Sequence, residues 1–119
     1  MNRQELEQRT KKFSLEAIRL TSALPRSVAA DVLGRQFLRS ATAIGAIYRE
    51  AARAESRRDF VHKVTLSAKE AAETEYWLEL LIEASIGEPH GFLDLKQEAD
   101  ELLRILIASA RTAKLKLAK

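Results

Sequence analysis

A chain of 119 residues without a single cysteine has room for one self-sufficient core, and it excludes a disulfide framework, Cys-ligated zinc, iron–sulfur clusters and a thiol nucleophile. Four Gly and two Pro against 46% hydrophobic and 31% charged residues favour helix almost everywhere. The net charge is only +3, so partners must be read from where charge sits rather than from how much there is.

The opening stretch MNRQELEQRTKKFSL lacks the apolar segment of a signal peptide, and no later run approaches the roughly eighteen apolar residues of a membrane span. A cytoplasmic protein with no membrane association is expected. From Arg3 to Leu24, the residues Leu6, Phe13, Ala17, Leu20 and Leu24 recur at heptad-like spacing until Pro25 closes the pattern. Ser27 or Asp31 can cap the second segment, where Leu33, Phe37, Ala41, Ile44, Tyr48 and Ala51 recur at steps of three and four to about Arg53.

Ser56-Arg57-Arg58-Asp59 has the form of a capping box with Asp in place of Glu, which predicts a third helix from Arg57 to about Ser85. Gly87-Glu88-Pro89-His90-Gly91 predicts a loop. Beyond it, Leu95, Ala99, Leu102, Leu106, Ala110 and Ala113 form a fourth amphipathic stripe. Four long helices joined by short loops predict an all-α, antiparallel up-down-up-down four-helix bundle, a single domain over 1–119.

Charge is segregated along the chain. Between Glu70 and Glu101 there are ten acids and one base, Lys96, while the remainder holds nineteen bases and seven acids. In the predicted topology the N-terminus, the junction of helices two and three, and the C-terminus share one end. Thirteen bases and five acids fall there, about +8. Such a pole attracts phosphate backbones without reading bases. Arg49, Arg53, Arg57, Arg58, Lys63, Arg111, Lys114 and Lys116 are the candidate nucleic-acid-binding residues. The competing reading is that these cations only solvate helix ends and complement C-terminal dipoles.

Late in helix three the string Tyr76-Trp77-Leu78-Glu79-Leu80-Leu81-Ile82, and in helix four Leu102-Leu103-Arg104-Ile105-Leu106-Ile107, are apolar over more than one core-facing stripe. Burial against further copies of the chain is the expectation, with a monomer of wide core as the alternative. Catalytic chemistry lacks its parts. Di-iron bundles need two Glu-x-x-His pairs, and only Asp59-x-x-His62 comes near, His90 being placed in a loop. No phosphate-loop, serine-hydrolase or zinc-protease string occurs. No cofactor, metal or catalytic residue is expected, and Glu50, Glu70 and Glu73 are read as partners of Arg39, Arg49, Lys63 or Lys69 in interhelical ion pairs.

The strings QFLRSATAIGAIYREA at Gln36 to Ala51, RAESRRDFVHK at Arg53 to Lys63 and KEAAETEYWLELL at Lys69 to Leu81 resemble the bacterial four-helix-bundle proteins also called 23S rRNA intervening-sequence proteins. The resemblance implies a bundle of four antiparallel helices assembled as a ring-shaped homopentamer. Members of that family occur as reading frames inside ribosomal RNA gene insertions, and a related group assists reverse transcriptases of diversity-generating retroelements by binding protein and nucleic acid. Arg39, Ser40, Tyr48, Arg49, Glu50, Glu55, Asp59, Lys63, Lys69, Glu70, Glu73 and Trp77 match its motif positions, with a structural role expected for them. Ile47 departs from the family's GANYREA string, which has Asn there. The function expected is a non-enzymatic, homo-oligomeric bundle that binds RNA or DNA through a basic pole, or alternatively a scaffold or accessory subunit that engages a protein partner.

Overall fold

The computed structural model describes residues 1–118 as four helices: α1 (Arg3–Ser22), α2 (Val28–Ala52), α3 (Arg57–Glu83) and α4 (Pro89–Leu117). They form an elongated bundle, 52 × 22 × 20 Å, in which each helix packs antiparallel on the next and α4 returns to α1. Buried positions step mainly by three and four along the helices: 6, 10, 13, 17 and 20 in α1, then 30, 34, 37, 40, 41, 44, 48 and 51 in α2. That 3.5-residue repeat keeps one narrow seam of each helix facing inward and sets the shallow crossing of a left-handed bundle. Phe13, Phe37, Ile44, Leu78, Leu81, Phe92, Leu102 and Leu106 are almost fully enclosed, each stabilising the fold by about 1.5–3 kcal/mol. Phe37 and Phe92 meet edge to face at 5.9 Å, which ties α2 to α4 across the diagonal.

Caps fix the helix ends. Asn2 and Glu5 make a reciprocal capping box on α1, which the sequence pattern did not single out. At α3 the Ser56 side chain accepts from the Asp59 amide at 3.0 Å, the expected half of a box. The helix-three boundary shifts from Ser85 to Glu83. Ser85 adopts a left-handed backbone (φ 58), and the amides of Ser85 and Ile86 donate to the carbonyls of Ile82 and Leu81 at 3.1 and 2.9 Å. This is a Schellman ending with serine where glycine is usual. Gly87 follows at φ 81, a value only glycine adopts freely.

The predicted loop 87–91 is corrected at its second half. Pro89 occupies the first helical turn and Glu88 is the N-cap, accepting from the amides of His90 and Gly91 at 2.9 Å each. Proline lacks only an amide that no helical carbonyl would have taken, so it starts α4 rather than breaking it. His90 therefore stands in a helix. Among the described residues no helix is long and apolar enough to cross a membrane.

The four seams are not equal. α3 packs most extensively on α4 and on α2, whereas α1 and α4 touch least. Gly45 lets α1 approach α2 closely, since a Cβ there would come 3.1 Å from the Thr10 hydroxyl. Gly91 does the same between α4 and α1 at the opposite end of the bundle, where a Cβ would come 2.6 Å from the Leu20 side chain.

Candidate nucleic-acid interface

Two groups of charged residues are brought together, and they differ in whether their charges are paired. The first is the α2–α3 seam. Arg39 of α2 reaches across to Glu73 and to Glu70, the latter at 3.4 Å, and the Glu70 carboxylate is the main cause of the upward pull on the Arg39 pKa. Trp77 donates its indole N–H to Glu73 at 3.2 Å. Beneath them, the Thr74 hydroxyl donates to the Glu70 carbonyl at 2.7 Å and lies 2.9 Å from the Ser40 hydroxyl. Ser67 donates to the Ile44 carbonyl at 2.8 Å. Lys63 donates to Glu50 at 2.9 Å, a bond that raises the lysine pKa.

Most of the family-motif positions thus lie on one seam, where they join α2 to α3. Tyr48 is buried at its lower end, and desolvation pushes its phenol above the ordinary value. Lys69 is exposed and, among the described residues, enters no ion pair. Asp59 supplies its amide to the Ser56 cap, and Glu55 is exposed in the α2–α3 turn.

The second group is the basic end. Here the charge count needs correction, because four of the thirteen bases are engaged internally. Arg49 and Arg53 share Glu7 at 3.4 and 3.0 Å, and Lys63 is held by Glu50. Arg9 pairs with Glu98 and Glu101 at 2.7 and 3.1 Å, two acids that lie within reach because α1, with 20 residues, is shorter than α4, with 29, so that Arg9 lies beside the body of α4 rather than its end. Of the eight candidate binding residues, Arg49, Arg53 and Lys63 therefore serve bundle seams. Arg57, Arg58, Arg111, Lys114 and Lys116 are exposed and, among the described residues, enter no ion pair.

Three cations converge on a groove of about 750 Å³ that opens at this end, between the start of α1, the α2–α3 turn and the last turns of α4. Arg3, Arg57 and Lys116 rim it, and among the described residues Glu55 is the one acid in its lining. Its floor is apolar, with Phe60 under the Arg3 guanidinium, which sits 5.1 Å from the ring centroid. Arg58, Arg111 and Lys114 occupy the same terminal turns but do not line the groove. Sequence reading missed Arg3 as a binding candidate, although its place on the first turn beside the other terminus was signal enough. Among the described residues no cluster of three potential metal-binding side chains exists.

Residues 2–108 match the family model described as 23S rRNA-intervening sequence protein. The chain belongs to this family. A crystal structure from Bacteroides thetaiotaomicron, described as a protein of unknown function from the S23 ribosomal protein family, is similar at 34% identity, with a TM-score of 0.85. The similarity covers 93% of this chain and 99% of that one. Among curated proteins none matches. The family match ends before Arg111, Lys114 and Lys116, so the last cationic turns of α4 lie outside what the family model spans. The departure at Ile47 falls within the match, on a half-buried position of α2, where a branched apolar side chain is accommodated by packing.

Proposed function

We propose that this chain is a non-enzymatic, self-associating helical bundle that binds RNA or DNA without sequence preference through its basic end. The observation that carries this reading is the set of exposed cations outside internal ion pairs: Arg57 and Arg58 at the start of α3, and Arg111, Lys114 and Lys116 at the end of α4. A cation already held by a carboxylate gains little from a phosphate, whereas an unpaired one releases the counterions condensed on the strand. Lysine and arginine offer no base-specific geometry at such an end unless a groove of the nucleic acid is entered, so contacts to phosphate dominate.

Self-association is supported by apolar side chains left in solvent. Leu15 and Ile18 on α1, Tyr76 on α3 and Ile107 on α4 are 44–56% exposed, while Leu78, Leu81, Leu102 and Leu106 of the same strings are consumed by the bundle core. In a cyclic assembly with helices near the symmetry axis, every copy's basic end faces the same side, and the field of one chain is multiplied. A pentamer is the size that the resemblance implies.

The test is binding of generic RNA and generic DNA at a series of salt concentrations, with the mass of the free protein measured by light scattering. Comparable affinity for the two nucleic acids and a linear fall of log affinity with log salt are expected. Binding that is absent or insensitive to salt removes the nucleic-acid reading, and a mass of one chain removes self-association.

A further inference from the structure

We propose that the groove at the basic end receives one unstacked base of a single-stranded RNA or DNA, whose flanking phosphates are held by Arg3, Arg57 and Lys116. This deepens the nucleic-acid reading above and rests on it. The groove's volume of about 750 Å³ falls in the roughly 300–1,000 Å³ range of sites that enclose small ligands. Where the start of α1, the α2–α3 turn and the end of α4 meet, Ala51, Ala54, Ala108 and Ala113 line the groove with side chains too small to fill it.

Its chemistry is two-sided. The rim presents three cations, and the floor presents small apolar side chains with a single aromatic ring, Phe60. Arg3 covers one face of that ring, so an entering base takes the guanidinium's place on Phe60 while Arg3 turns to a flanking phosphate, and base stacking tolerates any sequence because every base has a π face. The hydroxyls of Ser109 and Thr112 in the lining can donate or accept, which suits the varied edges of different bases.

This combination selects the occupant. An acidic peptide would satisfy the rim and leave the apolar floor bare. A neutral apolar segment would cover the floor and strip water from three cations without compensation. A nucleotide joins a flat ring to a phosphate in one unit and meets both requirements. A base within a duplex is paired and stacked, so it cannot enter without being extruded. Preference for single strands follows, added to the sequence-independent attraction of the whole end.

The experiment compares three labelled probes on the full chain: a single-stranded oligothymidylate, the same backbone with every base removed, and a duplex of equal phosphate number. The intact strand is expected to bind about tenfold or more tightly than the abasic one. Ala108→Phe, at an exposed helical position lining the groove, fills the space. It should bring the intact strand down to the abasic affinity, while abasic binding and thermal melting stay unchanged. Phe60→Leu, which keeps an apolar side chain in place, should move affinity in the same direction. Equal binding of intact and abasic strands by the unmodified chain overturns the base site and leaves the basic-end reading standing. Absence of binding to any probe overturns both. Poly-glutamate binding as tightly as the intact strand, and losing as much on Ala108→Phe, overturns the choice of a nucleotide.

Discussion

The α2–α3 seam and the basic end carry much the same residue types and use them in opposite ways. At the seam each charge faces its counterpart: Arg39 with Glu70 and Glu73, Lys63 with Glu50. The hydroxyls of Ser40, Ser67 and Thr74, fully enclosed, all find partners. At the end, Arg57, Arg58, Arg111, Lys114 and Lys116 face solvent, outside the ion pairs of the described residues. Charge that is paired and half-buried fixes helix register; charge that is exposed and unpaired is available to something outside the molecule. The distinction divides binding from stability, and substitutions in the two regions should separate the two properties.

The largest separation is expected from the end. Arg57→Glu, Lys114→Glu and Lys116→Glu together reverse three exposed charges. Nucleic-acid affinity at low salt should fall by a hundredfold or more, and the slope of log affinity against log salt should drop by roughly one per lost phosphate contact. Melting temperature should barely change, because none of the three supports a neighbour. A loss of fold comparable to the loss of binding would show that these cations hold the bundle together after all.

The reverse pattern is expected at the seam. Thr74→Val keeps the shape of the side chain but removes a bond across α2–α3, leaving the Ser40 hydroxyl only the Phe37 carbonyl of its own helix. About 1–2 kcal/mol of stability should be lost in denaturant unfolding, with nucleic-acid affinity unaltered once the protein is folded. Adding Ser40→Ala should recover part of the loss, since a buried pair of hydroxyls costs more when halved than when removed.

The regularity that defines the seam was legible in the sequence, and the use of its charges was only partly so. Apolar residues at steps of three and four placed all four helices, because in a bundle every helix obeys the same repeat. Ser56 marked its cap correctly and, of the two candidates Ser27 and Asp31, Ser27 proved to be the cap of α2, whereas Asn2 and Glu88 were overlooked: asparagine and glutamate are common elsewhere, and the breaker Pro89 concealed the start it makes. The pairing of Glu50, Glu70 and Glu73 with Arg39 and Lys63 followed from opposite charges on adjacent antiparallel helices. The fate of Arg9, Arg49 and Arg53 did not, since it depends on how far each helix reaches along its neighbour. A residue count assigned Glu98 and Glu101 to the far end, yet α1 is shorter than α4 and Arg9 lies beside them. The groove was invisible for the same reason, since its lining comes from three separate segments of the chain rather than from any one string.

A third seam sharpens the contrast. Between α3 and α4 the Glu75 carboxyl is held above the ordinary carboxylate range, chiefly by burial and then by the charge of Asp100. The folded state therefore binds a proton more readily than the unfolded chain does. Stability should fall as pH rises from the usual carboxylate range through the raised folded value, and the deficit should persist at neutral pH. Glu75→Gln removes that dependence. The variant should melt higher than the parent at neutral pH and converge on it in acid; a parent whose stability is flat across that range would contradict the assignment.

The smallest effect tests the end from the other sign. Glu55 is exposed in the α2–α3 turn and, among the described residues, is the one acid lining the groove that Arg3, Arg57 and Lys116 rim. An exposed carboxylate beside cations weakens their field by a modest amount, of the order measured for surface pairs at 0.2–1 kcal/mol. Glu55→Gln should tighten nucleic-acid binding about two- to threefold at low salt, and the gain should vanish at high salt as screening shortens the reach of the removed charge. Among the described residues Glu55 enters no ion pair, so melting temperature should stay fixed. If affinity is unmoved while the triple reversal still abolishes binding, the strand passes Glu55 by, and Arg57→Glu made apart from Lys114→Glu tells whether its contacts lie at the start of α3 or in the part of α4 beyond the family match.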